Sequence, residues 1–446
     1  SCTKYLVLDT IAIEDQNIPA VGLSHVDFMR DAEAAASHVG MPKVRIIAET
    51  VPVECTVAED IEAGVDAVMD DIVDALIRPL TEEEATPTPP DEPDQSRIVF
   101  EGGLQEVNHF FYKRQWTDGL PIYPPTEGLV AEMLTGTDLP PDHVVGKIPP
   151  RWGKATVEKI AINAVMAGAL PTYMPILIAA VEALAEPQTH FASWSTSTGS
   201  FAPCWIVNGP VRGDLKINSS SGVLSPGNMA NSAIGRAMLL TIRNIGGARK
   251  GIEDMGVMGN PGKYSMVIAE NEEDSPWAPM ATEAGFDEGD NAVTFFQPHC
   301  STQLWPYGSD TKGLLNAVVA NIIPARRGLF CLMITPTHAK MLAKDGWDKQ
   351  TVKAFISEYA RVPAYQHPIS WDAMVGLQPK EWQPLNPMDS QRILRTPDLI
   401  KIVVTGGPGH FMNMLVGALA DGMDWVTKKV DLPADWDTLV KKYGRI

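Results

Sequence analysis

The residues best suited to chemistry stand at the very start of the chain, in Ser1-Cys2-Thr3. Apolar residues at helical spacing follow, among them Leu8 and Ile11, and they predict a helix over about residues 3–15. The unpaired N–H groups and the dipole at the start of a helix stabilise an anion, so a cysteine there carries more thiolate than a free one. We therefore predict that Cys2 is a nucleophile or redox thiol, with Ser1 beside it.

A histidine follows the first predicted strand, Ile18–Leu23, and is a candidate partner for this thiol. Ligands of open α/β sheets bind beyond the carboxyl ends of the strands, and helices begin at the same edge. His25 could therefore approach Cys2 and act as its base. The alternative is that Cys2 only caps the helix and that His25 belongs to a surface loop.

A glycine-rich loop marks a candidate binding site near the end of the chain. Gly406-Gly407-Pro408-Gly409-His410 follows the predicted strand 400–404 and precedes a helix predicted to begin near Phe411. This arrangement offers backbone N–H groups to an anion. The loop matches neither the dinucleotide-binding nor the Walker pattern, so we predict a carboxylate or phosphate, with a bare turn as the alternative.

The small polar loop 218–228 leads into the predicted helix 229–244 and is a second candidate binding region, with Ser221 and Asn228 as its proposed ligand contacts. Small residues of this kind let the backbone approach a ligand closely. An ordinary long connection is the alternative.

His338 opens a predicted helix directly after the predicted strand 329–334 and is a candidate general acid or base. Neither His338 nor His299 has a second histidine two to four residues away, so spacing assigns no metal site, and a metal is not excluded. The acidic run Glu270–Asp274 could orient a cation or act as a base, although a solvated loop is the default.

Helices and strands alternate over the first eighty residues, which is typical of a parallel sheet covered on both faces. The predicted elements are helices over about 3–15, 26–39 and 57–78 and strands at 18–23 and 44–48. Two strands make a poor sheet, so we predict an incomplete, doubly wound α/β unit over residues 1–80. A further parallel strand should lie beside Ile18–Leu23, from an upstream fragment or another chain.

An acidic, proline-rich run at 81–96 cannot bury apolar surface and is predicted to be a linker. Residues 97–446 mix helices and short strands without an obvious repeat, which indicates a larger mixed α/β domain that binds the substrate. Its predicted strands are 204–207, 264–268, 292–296, 329–334 and 400–404, and its predicted helices are 127–134, 229–244, 311–322, 337–345 and 350–361.

Composition excludes several classes of partner. A net charge of −19 argues against nucleic acid and anionic membrane surfaces. The five cysteines are odd in number and scattered, so we expect no disulfide framework and a cytoplasmic location. The uncharged stretch 160–181 is long enough for a membrane span, but Gly168 and Pro171 interrupt it, which favours two buried helices.

The N-terminal segment resembles the UGSC family, thiol- or selenol-containing proteins named for a selenocysteine (or cysteine)-Gly-Ser-Cys motif. Ser1-Cys2-Thr3, the strand Ile18–Leu23 and the stretch Ala34–Pro42 carry the resemblance. It implies that Ser1-Cys2 is the second half of the motif and that a Sec/Cys-Gly half lies just upstream. The motif is also similar, more distantly, to the selenocysteine loop of glycine and betaine reductase subunits. Alternatively, cleavage before Ser1 leaves a free nucleophilic amine or a pyruvoyl group.

The larger part of the chain resembles proteins found alongside or fused to that family. Its motifs are Thr117–Thr126, Ala161–Gly168, and His338-Ala339-Lys340 with Asp345-Gly346-Trp347 after it. We place Asp118 and Tyr123 of the first motif among the candidate substrate-binding residues.

Three functions remain open. The first is a thiol-dependent enzyme, an oxidoreductase or lyase, in which Cys2 helps to cleave or reduce a carbon–heteroatom bond of a small molecule and no cofactor beyond a thiol/selenol pair is needed. The second is a hydrolase, hydratase or lyase centred on the larger domain, using His338 or a metal. The third is a non-catalytic binding or assembly protein. We expect a homo- or hetero-oligomer.

Overall fold

The computed structural model describes residues 2–53, 55, 57–86, 96–306, 310–323, 328–367, 386–418 and 422–444. The helices are α1 (Cys2–Glu14), α2 (Met29–His38), α3 (Ala58–Asp66), α4 (Met69–Ile77), α5 (Glu82–Ala85), α6 (Leu104–Lys113), α7 (Glu127–Leu134), α8 (Val157–Ala167), α9 (Met174–Ala185), α10 (Phe191–Trp194), α11 (Val211–Asp214), α12 (Met229–Asn244), α13 (Thr311–Asn321), α14 (Pro336–Lys344), α15 (Lys349–Tyr359) and α16 (Trp436–Tyr443). The strands are β1 (Gly22–His25), β2 (Ile46–Glu49), β3 (Val144–Ile148), β4 (Gly153–Thr156), β5 (Cys204–Asn208), β6 (Val267–Ala269), β7 (Ala292–Phe296), β8 (Pro298–Leu304), β9 (Phe330–Ile334), β10 (Arg361–Pro363), β11 (Ser390–Arg392), β12 (Ile400–Val404), β13 (Met412–Gly417) and β14 (Val426–Lys429).

The N-terminal unit, residues 2–86, is a small α/β arrangement in which α1 and α2 cover a parallel pair of strands. Its fully buried apolar residues are Val7 of α1 and Ala32, Ala35 and Ala36 of α2. β1 and β2 run parallel, and within the described residues they pair only with each other. The N-terminal unit is therefore α/β, with the short two-stranded sheet that its sequence predicts.

Two elements of the N-terminal unit differ from prediction. β1 begins at Gly22 rather than at Ile18, since Pro19 lacks the N–H that a strand ladder needs. The helix predicted over 57–78 is two helices, α3 and α4, with a break at Ala67 and Val68. Neither α3 nor α4 buries a residue, so their apolar side chains remain at the surface.

The first residues of the predicted linker form a turn of helix attached to the N-terminal unit. Thr81 caps α5, and Arg45 and Arg78 both donate hydrogen bonds to the carboxylate of Glu84. These donors hold the pKa of Glu84 far below its usual value. Residues 87–95, the proline-rich centre of the predicted linker, lie outside the described residues.

The large domain, residues 97–444, is built on two four-stranded mixed sheets. The first sheet has the order β14-β7-β5-β6 and the second has the order β12-β9-β13-β8. In the first sheet β5 and β6 are parallel, whereas β7 and β14 are antiparallel to their neighbours. The second sheet repeats this pattern with the parallel pair β9 and β12 followed by β13 and β8.

The two sheets pack face to face between layers of helices. Helices α8, α9 and α12 cover the outer face of the first sheet, and α13, α14 and α15 cover that of the second. Between the sheets, Ile206 and Phe296 of the first meet Met333 and Leu415 of the second. β9 is apolar at every position and β5 at every position but its last, Asn208, which fits this burial on both faces.

The order of elements is duplicated within the large domain, a repeat that the sequence pattern does not reveal. Each half contributes a parallel pair and a following antiparallel strand to one sheet, and its last strand to the other sheet. Thus β8, which follows β7, lies in the second sheet, and β14, which follows β13, lies in the first. This exchange of strands joins the halves.

Prediction of the local elements in the large domain is largely confirmed. The helices at 127–134 and 229–244 and the strands at 292–296 and 400–404 have the predicted bounds. The uncharged stretch 160–181 divides into α8 and α9, with Gly168 at a φ of 76° ending the first. Among the helices of the described part of the chain, none has the length and apolarity to cross a membrane.

Candidate functional site

The first turn of α1 is anchored to the large domain by two side chains. Lys4 Nζ donates a hydrogen bond to the carbonyl oxygen of Pro150 at 3.0 Å, and the Tyr5 hydroxyl lies 2.7 Å from the Ser193 hydroxyl. Cys2 is the first residue of this helix, less than one turn before both anchors. Ser1 and the side chain of Cys2 lie outside the described residues.

His25 ends β1 at the edge of the sheet where α1 begins. Gly22, at the start of β1, is packed against Leu6 and Thr10 of α1. Three strand residues advance about 10 Å and the helix from Thr10 back to its start spans about 12 Å, so we expect His25 to lie near the level of Cys2. The His25 Nδ1 accepts a hydrogen bond from the backbone N–H of Asp27 at 3.2 Å. With this bond, the neutral His25 ring carries its proton on Nε2.

A cavity of about 40 Å³ that opens to solvent lies in the large domain. We call it the α12 cavity, since α12 forms one wall. Phe191 of α10, together with Ser195, lines it, and these residues flank the Ser193 that Tyr5 contacts. Trp205 and Met266 supply apolar surface, and Arg243 supplies charge. Tyr5 therefore contacts the same short segment, 191–195, that contributes two residues to this cavity.

A second cavity, of about 30 Å³, lies between the N-terminal unit and the large domain. Lys4 and His38 face Arg151 and Glu253 across this interface cavity. Arg151 Nε donates to Glu253 at 2.7 Å. Burial lowers the pKa of His38, and the cations Lys4 and Arg151 lower it further, while Glu253 opposes them.

We expect the folded protein to lose stability in mild acid because His38 binds a proton more weakly in the folded state than in the unfolded chain. Because the folded-state pKa of His38 lies below its ordinary 6.5, the unfolded chain binds the proton more tightly. Stability is therefore full above pH 7 and falls as the pH drops through about 6.5. Unfolding free energies at pH 7.5 and 5.5 should differ less in His38→Gln than in the wild type. Equal losses in both proteins would contradict this role of His38.

Several predicted site residues meet at the carboxyl ends of the strands. His338 is buried in the first turn of α14, and its Nδ1 lies 3.2 Å from the Thr335 hydroxyl. Its ring centroid lies 6.3 Å from that of exposed His410. Burial, and secondarily His410, lowers the pKa of His338. This arrangement keeps His338 neutral near pH 7, as a base requires.

The glycine-rich loop reaches this edge without forming the predicted helix. The chain after His410 is strand β13, so the prediction of a helix from Phe411 is wrong, and the loop is not a helix N-terminus. Gly407 instead packs against Ser221 so closely that an added Cβ would lie 2.9 Å from the Cα and Cβ of Ser221. The Gly406 N–H donates to the carbonyl of Ser219 at 3.0 Å. Both predicted binding loops therefore contact each other.

The remaining predicted binding residues have structural partners. Asp118 receives two hydrogen bonds from Arg236, at 2.7 and 3.0 Å, and its side chain is almost fully buried. Asn228 caps α12 by accepting from the N–H of Asn231. Tyr123 is largely exposed and packs against Gly168. Gly409 has a φ of 146°, which only glycine adopts readily. No atom lies within 4 Å of the position that a Cβ would take there.

Two further properties of the described residues concern metal binding and the cysteines. No group of three or more His, Cys, Asp and Glu side chains among them could hold a metal ion. Cys55, Cys204, Cys300 and Cys331 are not disulfide-bonded to one another. Burial between the sheets raises the pKa of the Cys204 and Cys331 thiols.

The sequence did not identify Arg243 of the α12 cavity or Glu253 of the interface cavity as candidate site residues. Arg243 binds the carbonyl of Gln115, 128 residues away, and Glu253 binds Arg151, 102 residues away. The residues next to an arginine in the sequence do not show whether its guanidinium has a hydrogen-bond or ion-pair partner. The small-residue segment 246–263 lines the α12 cavity, and it contributes Glu253 to the interface cavity.

Comparison with family models matches residues 1–78 to the UGSC family. This match confirms the resemblance of the N-terminal unit to that family. No curated protein and no solved structure matches the chain.

Proposed function

We propose that the protein is a thiol-dependent enzyme that cleaves or reduces a carbon–heteroatom bond of a small molecule. One observation carries the proposal: the first turn of α1, which begins at Cys2, is anchored to the large domain by Lys4 and Tyr5, and Lys4 lines the interface cavity. The match of residues 1–78 to a family named for a thiol or selenol motif supports it. In this proposal, the large domain binds the substrate and the N-terminal unit supplies the nucleophile.

The proposed step is displacement at carbon. The Cys2 thiolate forms a C–S bond while the C–heteroatom bond breaks, and the heteroatom leaves with the electron pair and takes up a proton. In a reductive reaction, a second thiol or selenol attacks the sulfur, so that an S–S or S–Se bond forms and the released carbon is protonated. In this step His25, which ends β1, is the proposed proton donor to the leaving group, and it would act from its doubly protonated, imidazolium form.

We also propose a protein partner for the N-terminal unit. Its sheet has two described strands, and α3 and α4 expose apolar residues such as Ile61, Val73 and Ile77. A further parallel strand beside β1, from another chain or segment, fits these features. Each large apolar side chain covered by such a partner would contribute roughly 1.5–3 kcal/mol.

The pH dependence of cysteine alkylation tests the proposed nucleophile. In the native protein, Cys2 should react with iodoacetamide several-fold faster at pH 7 than Cys55, because the helix N-terminus stabilises its thiolate. Cys55 is a suitable control since it is a partly exposed loop thiol. Buried Cys204 and Cys331 should remain unmodified until the chain unfolds. Mass spectrometry of tryptic peptides measures each rate.

Equal rates for Cys2 and Cys55 at every pH would contradict an activated Cys2. In denaturant the two rates should become similar, which shows that the fold causes the difference. Substrate turnover that survives complete alkylation of Cys2 would also rule out the thiol mechanism.

A second candidate function is a hydrolase, hydratase or lyase centred on His338. The observation that favours it is the buried, neutral His338 held by Thr335 beside His410. The variant His338→Gln distinguishes the two proposals. It should abolish turnover only under the second, whereas Cys2→Ser should abolish turnover only under the first.

A further inference from the structure

Arg243 presents an unpaired cation to the α12 cavity. Its Nε donates to the carbonyl oxygen of Gln115 at 2.6 Å, but among the described residues its terminal amino groups have no hydrogen-bond or ion-pair partner. Arg243 is partly buried, and this burial lowers the pKa of its guanidinium. A partly buried arginine whose outer N–H groups lack partners is a site for an anion.

The neighbouring carboxylates are already bound to other cations. Asp118 is bound by Arg236 and Asp254 by Lys263 at 2.6 Å. Glu253 is bound by both Arg151 and Arg249. None of these carboxylates is left to neutralise Arg243.

A second polar group lines the same cavity without a partner. Ser195 is 7% exposed, and its hydroxyl has no hydrogen-bond partner among the described residues. The remaining surface near it is apolar, from Phe191, Trp205 and Met266. A buried hydroxyl in apolar surroundings needs an acceptor or donor from a ligand or water.

The charged side chains that line the α12 cavity indicate the net charge of its ligand. Lys263 and Asp254 line the cavity as a pair, so Arg243 leaves one uncompensated positive charge. A single negative charge neutralises it, and the planar fork of a guanidinium matches a carboxylate. A phosphate dianion would lack a second cation, and a neutral ligand would leave Arg243 unpaired.

We propose that the α12 cavity binds an organic monocarboxylate with an apolar body. The carboxylate pairs with the terminal amino groups of Arg243, the Ser195 hydroxyl donates a further hydrogen bond, and the apolar body packs on Trp205 and Phe191. That this carboxylate is the substrate rests on the proposed thiol function, whereas its binding does not.

Matched acid and amide probes test the charge. Phenylacetate and phenylacetamide have the same shape, and the series from acetate to hexanoate varies the apolar body. With the full wild-type chain, calorimetric titration should show phenylacetate binding about tenfold or more tightly than phenylacetamide. Affinity should rise along the series of acids. Equal affinity for acid and amide, or no binding of any acid at millimolar concentration, would overturn the proposal.

Three variants test which residues form the carboxylate site. Arg243→Gln should lose about tenfold or more in phenylacetate affinity, and Ser195→Ala, which removes only an unpaired hydroxyl, should lose a few-fold. Lys250→Gln removes the same charge from an exposed position outside the cavity and should bind as the wild type does. Unchanged binding in both Arg243→Gln and Ser195→Ala would overturn the proposal.

The binding and thiol proposals fail separately. Cys2→Ser should keep its affinity for phenylacetate, because the carboxylate site does not include the thiol. Intact carboxylate binding together with an unreactive Cys2 would reject the thiol function alone. A reactive Cys2 with no carboxylate binding would reject the carboxylate site alone.

Discussion

Replacing Glu270 by alanine should lower the free energy of unfolding by about 3–5 kcal/mol, because it leaves a buried cation without its counter-charge. Glu270 has no exposed surface. Its carboxylate receives hydrogen bonds from Lys349 at 3.0 Å, from Asn208 at 2.7 Å and from the N–H of Met280 at 2.6 Å. Chemical denaturation followed by tryptophan fluorescence would measure the loss.

A matched control lies four residues away in the same loop. Asp274 pairs with Lys340 at 3.1 Å, and both side chains are more than half exposed. Asp274→Ala should therefore cost no more than about 1 kcal/mol. The double replacement Glu270→Leu with Lys349→Met should recover much of the stability, since it removes both charges. If Glu270→Ala costs no more than Asp274→Ala, the buried pair does not have this role.

The position of Glu270 explains why so much depends on it. Glu270 directly follows β6 and binds Asn208 at the end of β5, while Lys349 begins α15 over the second sheet. Next to it, the Asn271 N–H donates to the carbonyl of Val404, and the Thr405 hydroxyl donates to that of Ala269. These contacts join the carboxyl ends of the two parallel strand pairs across the interface between the sheets.

The same loop shows what a sequence pattern can and cannot predict. The run Glu270–Asp274 was expected to be a solvated acidic loop, and Asp274 fits that expectation. Glu270 does not, because its partners lie 62 and 79 residues away. A run of acids has the same local pattern whether one member is buried or not, so only tertiary structure distinguishes them.

Elements were predictable where local chemistry specifies them. The bounds of α12 were correct because Asn228 is a strong N-cap before an apolar pattern of helical period. At Phe411 the prediction failed because a short apolar run fits a strand as well as a buried helix. The exchange of β8 and β14 between the sheets was not predictable, since pairing between distant strands leaves no periodic signal within either.

The residues of the candidate site were likewise predictable only where the local sequence specifies their position. Cys2 at the start of a helix was predicted from spacing, and α1 begins there. Arg243 could be placed on its helix but not in a cavity, because its role follows from Asp118 and Asp254 having other partners. An unpaired charge is a property of the whole charge network rather than of a motif.

Gly407→Ala should cost about 1–3 kcal/mol of unfolding free energy, since it forces a methyl group into the Ser221 backbone. The added Cβ would lie 2.9 Å from the Cα and Cβ of Ser221 and closer still to its hydroxyl oxygen. A flexible side chain could turn away, but the Ser221 backbone is held through its carbonyl, which accepts from Asn218 at 3.0 Å. One of the two loops must therefore move.

A pair of further variants tests whether this contact, rather than the loss of glycine flexibility, causes the effect. Gly128 lies in α7 with no atom within 4 Å of an added Cβ, so Gly128→Ala should instead stabilise the protein by roughly 0.5–1 kcal/mol. Ser221→Gly in the Gly407→Ala background removes two of the three close atoms and should restore part of the loss. Without that rescue, the cost would have to arise elsewhere in the glycine-rich loop. With it, Gly407 is required because the two loops must touch, and that contact holds His410 opposite His338 at the carboxyl ends of the strands.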